Sequence, residues 1–224
     1  MVFKFLRGAG RDRMEAIESR LQTMLGHDRF EFDLAMSALM GNVRAEDVNE
    51  ELRAADQKVN RLEREIRREL VVHASVFGGI QSPAVLVYMS VVKDIERIGD
   101  YAKNILDLAR DGADFSRIDD AEEWQQQAAE LSQYLVAAGE AFRSRDATLS
   151  RELRSRGDEL LDLFDKRVSE LIRAEDPGPQ AVARALAYRY LKRVVAHLMN
   201  LLSAVIMPLD RLDYFDEDPE DRSP

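Results

Sequence analysis

Along most of this chain apolar residues recur at alternating intervals of three and four, while glycine and proline fall between those stretches. That spacing lays one apolar stripe along a helix and denies a strand its period of two. Met14, Ile17, Leu21 and Met24 open the first stripe, on a helix expected to run towards Met40. Val59, Leu62, Ile66 and Leu70 mark the second, and Ile95, Ile98, Ala102 and Ile105 the third. Trp124, Ala128, Leu131, Leu135, Ala138 and Phe142 make a fourth; Leu161, Phe164, Val168 and Leu171 a fifth; Leu191, Val194, Leu198, Leu201 and Val205 a sixth. With only 11 glycines and 6 prolines in 224 residues, the expectation is an all-α protein of six long antiparallel helices.

The breaks divide those helices three and three. Gly78-Gly79 reads as a turn, Ser82-Pro83 as an N-cap with proline at the first helical position, and Asp176-Pro177-Gly178-Pro179 as a sharp stop. Asp56-Gln57-Lys58-Val59-Asn60 lines up with Asp158-Glu159-Leu160-Leu161-Asp162, a repeat of about 100 residues in which acids and stripe keep the same offset. The expected organisation is a basic segment over 1–11, a three-helix repeat over 12–112, a second over 118–209, and an acidic tail over 210–224.

A net charge of −10 gives the body of the protein no electrostatic reason to bind nucleic acid. The start differs, with Lys4, Arg7, Arg11 and Arg13 beside Val2, Phe3, Phe5 and Leu6, a composition suited to peripheral contact with a membrane or a membrane-bound partner. The chain has no cysteine, which excludes disulfides and thiolate metal sites. Val71–Val92 lacks charged residues, but its glycines and Pro83 argue for two helices and a turn, not a membrane span. Met1–Leu6 lacks the long apolar core of a secretory signal, so a cytoplasmic location is expected.

Glu96 and Asp100 stand four apart, one turn above the other on a helix, where their like charges repel by roughly 0.2–0.5 kcal/mol. A cation reverses that cost, and paired carboxylates offer hard oxygen ligands to magnesium, manganese, calcium or iron. On a helical wheel the two point away from the Ile95–Ile105 stripe, which equally describes a solvated face balanced by Lys93, Arg97 and Lys103. Asp56, Asn60 and Glu63 flank the second stripe, and Asp158, Asp162 and Asp165 flank the fifth, as an inter-helix site requires. The histidines, His27, His73 and His197, follow apolar residues at a spacing of three, read as helix-face or cap positions. No Glu-x-x-His pair, phosphate-binding glycine loop or serine nucleophile motif is present, so an enzyme is not expected.

The run Glu96-Arg97-Ile98-Gly99-Asp100, with Ala102 and Asn104-Ile105 after it, resembles the signature of the PhoU family, whose helices carry Glu/Asp-x-x-x-Asp motifs. Asp56-Gln57-Lys58-Val59-Asn60 is similar to that family's motif on the preceding helix, and the resemblance runs over nearly the whole chain. It implies two three-helix repeats, clusters of divalent or trivalent ions (iron, manganese, magnesium or zinc) held at a surface by those acids, and a restraint on phosphate uptake and signalling. It also implies contact with a phosphate transporter subunit, a sensor histidine kinase, or both. Exposed bundle faces allow a homodimer. The second repeat departs from the pattern, with Lys192 and Ala196 standing where Glu96 and Asp100 stand, so a lysine paired with Asp158 or Asp162 is expected in place of a metal. Two other readings fit the same residues: an accessory regulator of a sodium- or proton-coupled phosphate transporter, and a metal-free helical scaffold.

Overall fold

The computed structural model describes residues 11–77, 82–208 and 212. Its helices are α1 (Arg11–Leu39), α2 (Ala45–Phe77), α3 (Ser82–Arg110), α4 (Ala121–Ser144), α5 (Ala147–Arg173) and α6 (Ala181–Ile206), with a short 3-10 turn over Phe115–Arg117. Among the described residues there is no strand, and no helix is long and apolar enough to cross a membrane. Residues 1–10 of the basic start, the Gly78-Gly79 turn, the side chains of Arg11 and Ser82 and most of the acidic tail lie outside the described residues.

The apolar stripes are the core. Ile17, Leu21 and Met24 of α1, Ile66 and Leu70 of α2, and Ile95, Ile98, Ala102 and Ile105 of α3 are fully enclosed. Each large apolar side chain so enclosed contributes about 1.5–3 kcal/mol relative to leaving it in water. In α5 the buried line runs through Leu160 and Phe164 rather than Leu161, which is only partly covered. One continuous core joins both repeats, because α1 and α3 pack on α4 and α6. Both cross-repeat contacts are antiparallel: Gln22 donates to the Gly139 carbonyl (3.2 Å) and Arg29 to Ser132 (3.1 Å), while Asp94 meets His197 and Tyr101 meets Tyr190.

Local chemistry fixes the ends. Gly41 closes α1 at φ +69°, and a Cβ there would stand 2.8 Å from Asp114 Oδ1 as well as being strained. Asp146 caps α5 by accepting from the Thr148 and Leu149 amides at 2.9 and 3.0 Å. Gln180 pins the Pro-Gly loop to the centre of the chain, accepting from the Asp114 amide and donating to its carbonyl, each at 2.8 Å.

Candidate metal centre

The register of α1 continues past Met24 to Asp28 and Glu31, so two acids occupy positions that the stripe reserves for apolar side chains. Both are fully buried, and none of their four carboxylate oxygens has a hydrogen-bond partner. A buried charge left in that state is costly, and the group holds its proton instead. Burial, reinforced by the charges of Glu31, Glu96, Asp56 and Asp100, raises the pKa of Asp28 well above the carboxylate range. Burial, with Asp56 and Asp100 adding and Lys103 opposing, raises that of Glu31 to about 8.

The opposite wall comes from α2 and α3. Gly99 faces the pair so closely that a Cβ on it would lie 3.0 Å from Asp28 Oδ1 and 3.2 Å from Glu31 Oε2. On either side of Gly99 stand Glu96, with a side chain only 12% exposed, and Asp100, at 42%. Asp56 on α2 accepts from Asn60 at 3.0 Å. Lys103 ties the two helices: its Nζ is 2.6 Å from Asp56 Oδ1 and 2.8 Å from Asp100 Oδ1. Burial opposes the charge of Lys103, but the hydrogen bonds and charges of Asp100 and Asp56 outweigh it and raise its pKa. Lys93 pairs with Glu96 at 2.5 Å and Arg67 with Glu63 at 3.1 Å.

The structure therefore gathers Asp56, Asn60, Glu96 and Asp100 around the α1 pair, and gives Glu63 to Arg67. It also corrects the wheel reading of Glu96, since packing against its neighbours buries most of a side chain that would be solvated on an isolated helix. The donors fit a hard cation in type, all carboxylate oxygens, and in need, because the α1 oxygens have no partner. Among the described residues no three His, Asp or Glu side chains are drawn together as an ion would draw them, and an ammonium holds Asp56 and Asp100.

Residues 21–109, which contain every one of these acids, match the PhoU domain family model. The chain is similar to the PhoU family over that stretch, which is less than half of its length. It is 27% identical over 175 residues to the phosphate-specific transport system accessory protein PhoU homolog of Deinococcus radiodurans, covering 75% of this chain and 77% of that one. Its fold is that of the crystal structure of PhoU from Pseudomonas aeruginosa, with a TM-score of 0.74 over 90% of this chain and 99% of that chain at 24% identity. The PhoU family is associated with regulation of phosphate transport, and its members are regulatory accessory proteins, not enzymes.

Outside the matched stretch, Asp158 and Asp165 of α5 are paired with cations of α5 and α6. Lys192 does not reach Asp158 or Asp162 as expected; its Nζ lies 2.5 Å from Asp165 Oδ2, and Arg189 binds the other oxygen at 3.1 Å. Arg189 and Lys192 are three apart on α6, so both reach the same acid. Asp158 is 3.6 Å from Arg154, and Ala196 is buried without a polar atom to offer. A buried polar contact joins α3 to α6. The Asp94 carboxylate accepts from His197 Nδ1 (2.9 Å) and Asn200 Nδ2 (3.1 Å), with Tyr101 stacked on the His197 ring at 5.8 Å.

Proposed function

We propose that this chain is a cytoplasmic, metal-binding regulatory adaptor that restrains phosphate uptake and phosphate signalling by contacting a phosphate transporter subunit, a sensor histidine kinase, or both. One observation carries the metal reading: the four oxygens of Asp28 and Glu31 are buried, close to Asp56, Glu96 and Asp100, and without a hydrogen-bond donor. Asp28, Glu31, Asp56, Glu96 and Asp100 would hold the ion, with Asn60 orienting Asp56 through its amide. A bound di- or trivalent ion supplies positive charge to the buried oxygens of Asp28 and Glu31, which neither Lys103 nor Lys93 reaches. The acids do the rest: they join three helices at one point, so that the face presented to a partner depends on their charge state. The PhoU domain and the named function of the Deinococcus relative support the regulatory part of the reading.

Elemental analysis of protein purified without a histidine tag tests the metal reading. The expected result is bound transition metal in the natural chain and its loss in a Glu96→Ala, Asp100→Ala variant. Equal metal in both, or none in either, rejects it. The regulatory half is tested by phosphate uptake in cells lacking the chain, where uptake under phosphate excess is expected to rise.

A further inference from the structure

Lys103 sits in the acid cluster in a way that a surface ion pair does not require. Its ammonium bridges Asp56 of α2 and Asp100 of α3 at 2.6 and 2.8 Å, and its side chain keeps 32% of its surface in contact with solvent. It is thus both a cross-link between two helices and a group with a way out. It satisfies the exposed part of the cluster alone: the α1 pair, Asp28 and Glu31, has no hydrogen bond from Lys103 or from any other side chain. Lys103 and Lys93 answer Asp56, Asp100 and Glu96, which leaves the buried oxygens of Asp28 and Glu31 without a partner. A multivalent cation answers Asp56 and Asp100 together with the buried pair, and its gain over the lysine comes from the buried pair. The second repeat shows the same closure without that incentive, since Lys192 and Arg189 hold Asp165, and among the described residues the buried carboxylate oxygens lacking a hydrogen bond are those of Asp28 and Glu31.

We propose that Lys103 is a tethered counter-ion that closes the acid cluster of the first repeat, and that entry of a hard divalent cation releases its ammonium to solvent on that face. The proposal rests on the metal reading above and deepens it, because it says what changes at the surface on loading. Asp100 is three residues from Lys103 on the same helix, so release needs only rotation of the lysine side chain. The outcome is an α2–α3 face that exchanges an internal salt bridge for a free ammonium, a local change of charge that a partner protein can read.

Amine acetylation followed by peptide mass spectrometry tests it, on the full chain stripped of metal and on the same chain saturated with Mn2+. Lys58 and Lys166, both exposed, serve as references. Labelling of Lys103 is expected to rise several-fold on Mn2+ addition while the references stay level. In parallel, Lys103→Met is expected to bind Mn2+ about three- to tenfold more tightly by calorimetry, since the competing ion pair is gone. Failure of the natural chain to take up Mn2+ rejects the metal reading and this proposal with it. Uptake with unchanged or reduced Lys103 labelling, or with weaker binding by Lys103→Met, overturns this proposal alone.

Discussion

Gly99 of α3 opens the space into which Asp28 of α1 turns its carboxylate, since a methyl group at that position would stand 3.0 Å from Asp28 Oδ1. The same methyl would stand 3.2 Å from Glu31 Oε2, so the missing side chain of Gly99 leaves room for two buried acids. Gly99→Ala is expected to weaken Mn2+ binding at least several-fold by pushing those oxygens aside. The gain in helix propensity, about 0.5–1 kcal/mol, offsets the crowding, so the melting temperature of the metal-free protein changes little. Calorimetry and thermal unfolding of the one variant separate the two effects.

Stability without divalent cations is expected to fall as pH rises. Glu31 keeps its proton in the folded chain up to about 8 and releases it near 4.5 when unfolded, so between those values the folded state binds more protons. Its favourable contribution is complete below 4.5 and lost as pH climbs through 8, on the order of 5 kcal/mol at most. Asp28, raised in the same direction, adds to the trend. Urea unfolding at pH 5, 7 and 9 checks it, and Glu31→Gln is expected to flatten the curve.

Removing acids from the second repeat is expected to leave metal content unchanged. Asp158→Asn with Asp162→Asn touches a region whose charges are already balanced by Arg154, Lys192 and Arg189. Asp165→Asn costs less than about 1 kcal/mol, because that pairing is exposed. Metal analysis and denaturation of these variants check both statements.

The seam between repeats is expected to be more sensitive. Asp94→Ala strips a buried imidazole and a buried amide of their shared acceptor, at a cost of about 1–3 kcal/mol for each group left unsatisfied. The loss should appear in the urea midpoint of the whole chain, since one core runs through both repeats.

The helices were legible because each stripe advances by three and four, and a stripe must be buried. Helical spacing likewise fixes that Glu96 and Asp100 share one face of α3, and Asp56 and Asn60 one face of α2. Asp28 and Glu31 were missed although a signal existed: Met14, Ile17, Leu21 and Met24 extrapolate by the same steps to 28, 31 and 35, and two of those positions hold acids. Acids inside a stripe are costly unless something compensates them, so the interruption itself pointed to a site. The bridge from Lys103 and the choice of Asp165 by Lys192 were not readable, because they depend on how one helix slides along the next. The His197–Asp94 contact lies further off still, between residues 103 positions apart on antiparallel helices.

Anomalous diffraction at the manganese edge, from crystals of the full chain grown with Mn2+, tests the central claim most directly. The account predicts a peak bound by oxygens of Asp28 and Glu31 together with Asp56, Glu96 or Asp100, with Lys103 turned away, and no peak at Asp158 or Asp165. A cluster without manganese, in which Lys103 still bridges Asp56 and Asp100 at saturating Mn2+, would contradict it.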